Sequence, residues 1–127
     1  MIKSQYITNI VKLLLDFDEE SRLTSQQIKY LTVDKLEYTG SGLFASFKHS
    51  KSCLDYKCPI DNLVLTGLKI TSAAYSIEAD ANLFFKNGIV DYLEIWCYSG
   101  EYPSDDLAKY KLTQNWENSP GYQISTE

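Results

Sequence analysis

The stretch Leu83–Tyr98, LFFKNGIVDYLEIWCY, carries the clearest structural signal in the chain. Its Asn87-Gly88 pair is typical of a two-residue β-turn, because both central positions of a type I′ turn need a positive φ angle. Apolar, β-branched and aromatic residues flank the pair on both sides, as they do in strands. The stretch therefore predicts an antiparallel hairpin in which residues 83–85 pair with residues 89–92.

The second arm of this hairpin predicts two chemically different faces. Successive side chains of a strand point to opposite faces of a sheet. One face then carries Tyr92, Glu94, Trp96 and Tyr98. The other face carries Asp91, Leu93, Ile95 and Cys97. We expect Glu94 to lie among aromatic side chains on the first face.

Further strand-like segments lie on both sides of the hairpin. From Val33 the pattern has a period of two, in which Val33, Lys35 and Glu37 alternate with Asp34, Leu36 and Tyr38. It predicts a strand that a tight turn at Thr39–Gly42 joins to a second strand over residues 43–49, since glycine accepts positive φ angles. Residues 50–62 predict a loop. The other predicted strands are residues 63–71, 75–85 and 107–115.

The N-terminal region predicts an amphipathic helix over residues 4–17, with Ser4 as its N-cap. The acidic residues Asp16, Asp18, Glu19 and Glu20 follow its apolar stripe. Negative charge is unfavourable at a helix C-terminus, so we expect the helix to end near Phe17. The stripe consists of Ile7, Ile10, Val11, Leu14 and Phe17.

A second, short helix is predicted to begin at a cap, either Thr24 or Ser25, and to run through Leu31. The whole pattern predicts an α+β fold, with one or two N-terminal helices packed on an antiparallel sheet of five or six strands. A β-sandwich with a decorating helix is the alternative. Residues 1–127 show no composition break and predict a single domain, with residues 117–127 as a flexible tail.

Composition and charge favour a protein partner over a nucleic acid. The formal net charge is −5, and the twelve Lys and Arg residues are scattered singly. Nucleic-acid binding requires a clustered basic surface, whereas an acidic protein is suited to a basic protein partner. The ten tyrosines suit both strand packing and binding surfaces. The sequence lacks signal-peptide and membrane-span patterns, which predicts a cytoplasmic location.

No group of residues has the pattern of a catalytic or metal centre, so we expect neither enzymatic activity nor a cofactor. His49 is the single histidine, and its spacing to nearby serines does not indicate a nucleophile–base pair. Cys53 and Cys58, with Cys97 distant in sequence, match no familiar zinc module and are expected to be free thiols. The turn Thr39–Gly42 leads into a strand and not into the helix that a phosphate loop requires.

Four residues near the C-terminal end of the central hairpin are candidates for contacting a partner. Asp105 and Asp106 follow a predicted turn and are interpreted as electrostatic contact points. Tyr98 and Tyr102 flank a second turn and are interpreted as exposed aromatic anchors. Ordinary strand packing is the alternative for both tyrosines.

Several motifs resemble those of a widespread group of small bacterial proteins. They are Tyr38–Phe44, YTGSGLF, then Leu83–Gly88, LFFKNG, then Leu93-Glu94, and finally Tyr102-Pro103. The similarity in motif spacing covers roughly residues 24–112. Some members of the group look like immunity proteins that protect a cell from toxins delivered by its neighbours. The resemblance implies binding of a cognate toxin domain, possibly a basic nuclease, with no cofactor and no enzymatic activity, and it carries over no residue roles.

A different class of function stays open from the sequence. The face bearing Tyr92, Glu94, Trp96 and Tyr98 is also compatible with a small-molecule or metal-binding domain, because ligand sites combine aromatic side chains with a few polar groups.

Overall fold

The hairpin at Asn87-Gly88 lies at the centre of a single β-sheet. In a computed structural model that describes residues 1–17 and 21–127, the described strands form one antiparallel sheet in the order β1-β2-β5-β4-β3-β6-β7. Those strands are β1 (Leu31–Tyr38), β2 (Gly42–His49), β3 (Val64–Ser72), β4 (Ile77–Lys86), β5 (Ile89–Ser99), β6 (Lys111–Gln114) and β7 (Gln123–Ser125). The α+β class is confirmed, but the described strands number seven instead of five or six, and they lie in one sheet and not in the two sheets of a sandwich.

The predicted antiparallel pairing of the central hairpin is confirmed. Phe85 pairs with Val90, and Lys86 pairs with Ile89 across the turn. Asn87 and Gly88 have φ angles of 53° and 78°, as a type I′ turn requires.

Two register shifts interrupt the predicted alternation along β5. The register shifts between Phe84 and Phe85, so that Phe84 pairs with Tyr92 and Asp91 is the extra residue of β5. The second shift, between Glu78 and Ala79, leaves Tyr98 without a direct partner on β4, so the predicted alternation holds from Tyr92 through Cys97.

The helix α1 spans Gln5–Leu15 and packs against β3, β4 and β6. Its predicted cap is confirmed, since Ser4 Oγ accepts a hydrogen bond from the Ile7 amide at 3.0 Å. The helix ends two residues before Phe17. The acidic residues at positions 18–20, which were predicted to help to end it, lie outside the described residues.

The second helical segment begins earlier than the sequence predicted. Helix α2 spans Ser21–Ser25 and continues as a 3-10 helix over Gln26–Tyr30. Ser25 directly precedes the 3-10 helix, at the position predicted for a cap, but its side chain makes no capping hydrogen bond and its Oγ donates to the Arg22 carbonyl. Thr24 lies inside α2 and is not a cap. Leu31 opens β1 instead of ending a helix.

Residues 50–62 form the predicted connection, which includes a 3-10 helix over Lys51–Tyr56. The fully buried side chain of Gln27 links this connection to the central hairpin through hydrogen bonds. Its side-chain amide donates to the carbonyls of Tyr56 at 2.8 Å and Gly88 at 2.9 Å, and its oxygen accepts from the Val90 amide at 3.0 Å. A buried amide is tolerated in a core only when its hydrogen bonds are made in this way.

The hydrophobic core lies between α1 and one face of the sheet, which we call the covered face. Its fully buried strand residues include Leu43, Leu68, Ile70, Leu83 and Leu93. Within residues 1–17 and 21–127, no helix has both the length and the apolar character that a membrane crossing requires.

The C-terminal segment contributes the seventh strand. β7 lies within residues 117–127, the segment predicted to be a flexible tail, and it pairs with β6 through Leu112 and Ile124. The Thr126 amide also donates to the Tyr110 carbonyl at 2.9 Å.

Candidate functional site

The face of the sheet opposite α1 carries an exposed group of aromatic and acidic side chains. We call this surface the open face, and its central residues come from β2, β4 and β5. They are Phe44, Asp80, Asn82, Phe84, Tyr92, Glu94, Trp96 and Tyr98. Trp96, Tyr98 and Phe44 expose 55%, 47% and 39% of their surface. Three large aromatic side chains close together on a surface are typical of a protein-binding site.

The cross-strand register brings these residues together. Phe44 on β2 lies opposite Glu94 on β5, and Glu94 lies opposite Asn82 on β4. Directly opposed side chains on one face of an antiparallel pair are in contact distance. The Asn82 amide donates to Glu94 Oε1 at 3.0 Å, which fixes the direction of this carboxylate.

One aromatic pair on the open face is held rigidly. The rings of Phe84 and Tyr92 stack with a centroid distance of 4.3 Å and an interplanar angle of 5°. Because these rings are already ordered, little side-chain entropy remains to be lost when a partner packs against them.

Trp96 is exposed because its strand neighbours leave space around it. Its neighbour on β2 is Gly42, which has no side chain, and a Cβ atom there would collide with the Ile95 carbonyl. Its neighbour on β4 is the short side chain of Asp80. The indole therefore protrudes from the sheet beside a carboxylate.

Tyr98 belongs to a small polar cluster at the edge of the aromatic group. Lys69 Nζ lies 3.3 Å from Glu78 Oε1. A hydrogen bond to Glu78, together with the nearby Tyr98 phenol, raises the pKa of Lys69. The ammonium of Lys69 is thus engaged by Glu78 and Tyr98, although its strand position lies opposite Asp80.

The carboxylates beside Trp96 lack a cationic partner. In the part of the chain that the structure describes, the side-chain ion pairs are Lys69–Glu78 and Lys48–Asp34. Among these described residues, Asp80 and Glu94 therefore have no cation within 4.0 Å. Unpaired carboxylates next to exposed aromatic rings favour a partner that carries positive charge.

Tyr102 does not lie on the open face. It is 3% exposed, and its phenol oxygen is 2.6 Å from that of Tyr6 on α1. Tyr6 also makes an edge-to-face contact with Tyr110 at a centroid distance of 4.9 Å. Burial is the main cause that raises the pKa values of both Tyr6 and Tyr102. The structure places Tyr102 in the packing between α1 and the sheet, as in the alternative interpretation, where it cannot contact a partner directly.

Asp105 and Asp106 lie together but on the other side of the sheet from Tyr98. They line a groove of about 360 Å³ between the start of α1 and β1. The Ser4 hydroxyl donates to Asp106 Oδ2 at 2.5 Å while Ser4 caps α1. Asp106 thus supports the helix cap. Burial raises the pKa of Tyr38 in the same groove, and the two aspartates add to the effect.

His49 and the cysteines do not form a recognisable chemical centre. His49 is exposed at the end of β2, beside a cleft of about 380 Å³ that Lys57, Lys86 and Asp91 also line. The three cysteines are buried free thiols, and burial raises the pKa of Cys53 to about 11. Among residues 1–17 and 21–127, no three His, Cys, Asp or Glu side chains come together as metal ligands would.

Sequence reasoning found one strand of the open face and missed its neighbours. Tyr92, Glu94 and Trp96 lie on one face of β5 as predicted. Asp80 and Phe84 on β4 were not singled out. The signal was present, because residues 78–86 alternate between polar or aromatic side chains and the buried Ala79, Ala81, Leu83 and Phe85.

The comparisons with known proteins do not identify a family. No family model matches the chain, and neither a curated protein nor a solved structure matches it significantly.

Proposed function

We propose that this protein binds another protein through its open face, and that the partner is a basic toxin domain that it neutralises by occlusion. The observation that carries the proposal is the exposed set of Trp96, Tyr98 and Phe44 with the unpaired carboxylates of Asp80 and Glu94. The protein acts by forming a stoichiometric complex and performs no catalytic step.

The aromatic residues supply the affinity in this proposal. Tryptophan and tyrosine dominate the binding energy of interfaces, because they bury a large area with few rotatable bonds. Trp96 protrudes farthest, and the stacked Phe84 and Tyr92 provide an ordered surface beside it. A partner that covers this group removes the exposed aromatic surface from water.

The carboxylates accelerate association and select the partner. Asp80 and Glu94 flank Trp96, and the whole chain carries a formal charge of −5. Complementary charge accelerates association and selects partners. In this proposal, an arginine of the partner stacks on Trp96 and pairs with Asp80, so it contacts both an aromatic ring and a carboxylate. In this proposal, Asp80 and Glu94 take the electrostatic role that the sequence suggested for Asp105 and Asp106.

The toxin identity of the partner rests on the motif resemblance. The YTGSGLF motif contributes both Gly42, which leaves Trp96 free, and Phe44 on the open face. The LFFKNG motif contributes Phe84 and the turn that orients β5. The motifs that resemble those of immunity proteins thus build part of the proposed binding surface.

The test is to produce the protein together with the product of the neighbouring gene, the candidate for the cognate toxin, and to measure the affinity of their complex by calorimetry. Trp96→Ala should weaken the complex at least about tenfold, as truncating a buried interface anchor does. Tyr75→Ala is the matched control, since Tyr75 is 40% exposed and lies in the β3–β4 turn. If both variants bind as the unchanged protein does, the open face is not the binding surface.

Association rates measured across a salt series separate the electrostatic contribution of the carboxylates from the contribution of the aromatic residues. The double variant Asp80→Asn, Glu94→Gln should associate more slowly and with a weaker salt dependence. Asp105→Asn, which changes a charge on the other side of the sheet, should alter the rate little. If cells are protected when no complex forms, occlusion is wrong and the small-molecule alternative takes its place.

A further inference from the structure

The outer edge of β1 is a free strand edge with an exposed leucine between two opposite charges. Among the strands that the structure describes, β1 pairs with β2 and has no neighbour on its other side. Leu36 is 45% exposed, and Lys35 and Glu37 are exposed on either side of it. In the described part of the chain, neither Lys35 nor Glu37 has an oppositely charged side chain within 4.0 Å. An uncovered edge of this kind is a template for pairing with another strand.

The hydrogen-bond pattern decides which residues face the free edge. The Thr39 amide donates to the Gly42 carbonyl at 3.1 Å, so the backbone groups of Thr39 point towards β2. Backbone direction alternates along an antiparallel strand. The amide and carbonyl groups of Lys35 and Glu37 therefore point towards β2, and those of Leu36 and Tyr38 point outward.

We propose that two copies of this chain pair antiparallel through their β1 edges, with a two-fold axis at Leu36. In this register Leu36 of one copy lies opposite Leu36 of the other, and their outward backbone groups bond to each other. Lys35 of each copy lies opposite Glu37 of its partner on the open face, so two charge pairs form.

Symmetric registers centred on the residues next to Leu36 are unfavourable. A two-fold axis at Lys35 places Lys35 opposite itself, and an axis at Glu37 places Glu37 opposite itself, and like charges directly opposed destabilise a strand pair. An axis between two residues places a residue whose backbone groups point outward opposite one whose groups point inward. The two strands then cannot form a hydrogen-bonded ladder. The sequence Lys35-Leu36-Glu37 is self-complementary only about its central leucine.

The surroundings of β1 fit a second copy and limit the length of the pairing. A β-bulge interrupts the register between Val33 and Lys35, which confines a regular ladder to the residues after it. On the covered side, Leu36 borders the groove that also contains Ile7, Val33 and Tyr38. Pairing places the partner's Leu36 beside the apolar side chains of this groove, which Lys3, Asp105 and Asp106 also line. The short ladder predicts a reversible, concentration-dependent dimer.

A charge-swap experiment tests the register on the isolated protein by analytical ultracentrifugation. Lys35→Glu alone and Glu37→Lys alone should each raise the dimer dissociation constant about tenfold, because two attractive pairs become repulsive. The double variant should restore dimerisation. A mixture of the two single variants should form a heterodimer, since both carboxylates of the first variant then face ammonium groups of the second. Lys86→Glu, at the end of β4 and separated from β1 by β2 and β5, is the control for net charge.

Amide hydrogen exchange gives a second readout at the backbone. Raising the protein concentration should protect the outward amide of Leu36, and Lys35→Glu should remove this protection. A protein that stays monomeric at its highest attainable concentration overturns the proposal. A dimer that ignores the charge swaps also overturns it, because it must form through another surface. Neither result bears on binding of a toxin at the open face.

Discussion

Tyr98 and Tyr102 lie four positions apart in the chain and on opposite sides of the sheet. Tyr102 is buried against α1, and its phenol bonds to that of Tyr6. Tyr98 is half exposed on the open face, close to the Lys69–Glu78 pair. The same residue type thus holds the fold together on the covered side and is left available on the open side. Residue type alone does not reveal which role a tyrosine has.

The largest expected difference between the two faces is in packing. Leu83 is fully buried on the covered face of β4, at the middle of the sheet. Leu83→Ala should lower the free energy of unfolding by about 2–5 kcal/mol, because it removes buried apolar surface and leaves a cavity. Urea unfolding followed by circular dichroism measures the loss. A loss below about 1 kcal/mol would mean that the covered face is not closely packed.

A smaller effect is expected for the buried tyrosine pair. Tyr102→Phe removes one partner of the Tyr6–Tyr102 hydrogen bond and leaves the other hydroxyl buried and unpaired. The free energy of unfolding should fall by about 1–3 kcal/mol. The matched control is Tyr98→Phe, which removes a hydroxyl that water can replace and should change stability little. Equal losses of stability in Tyr102→Phe and Tyr98→Phe would contradict the different roles of the two tyrosines on the two sides of the sheet.

The same pair predicts a loss of stability at alkaline pH. Burial raises the pKa values of Tyr6 and Tyr102 above the ordinary tyrosine value of 10.0. Above pH 10.0 the unfolded chain has lost these protons while the folded state keeps them. Stability falls with pH wherever the folded state binds more protons. The urea midpoint should therefore drop as pH rises above this value, and less steeply in Tyr102→Phe.

Local sequence signals predicted most of the sheet. The Asn87-Gly88 turn and the alternation in β5 depend on neighbouring residues, so the hairpin and its two faces could be predicted. The seventh strand could not, because Gln123–Ser125 is a strand only through its pairing with β6. Tertiary pairing gives a short polar segment a structure that its own composition does not indicate.

The candidate site was harder to predict, because it depends on which strands are neighbours. Nothing local indicates that Asp80 lies opposite Trp96, or that Gly42 leaves the other side of the indole free. At Asp105 and Asp106, a charge run beside a turn indicates an electrostatic contact point from the sequence alone. Their position near Ser4 follows from packing between segments about a hundred residues apart.

The smallest expected effect on stability concerns Trp96. The indole is 55% exposed, with a glycine on one side and a short carboxylate on the other, so it buries little surface within its own chain. Trp96→Ala should change the free energy of unfolding by no more than about 0.5 kcal/mol, as exposed substitutions usually do. Urea unfolding followed by circular dichroism measures the change.

Trp116→Ala is the matched control, because it removes the other tryptophan of the chain. Trp116 is partly buried, packs against the core and lies next to Gly67, so its loss should destabilise the protein clearly more than the loss of Trp96. A small change for Trp96 and a larger one for Trp116 mean that folding does not require the exposed indole, which is the result that the proposed binding role of Trp96 predicts. If Trp96→Ala instead lowers stability by more than about 2 kcal/mol, the open face is held by packing and the argument for a binding surface there fails.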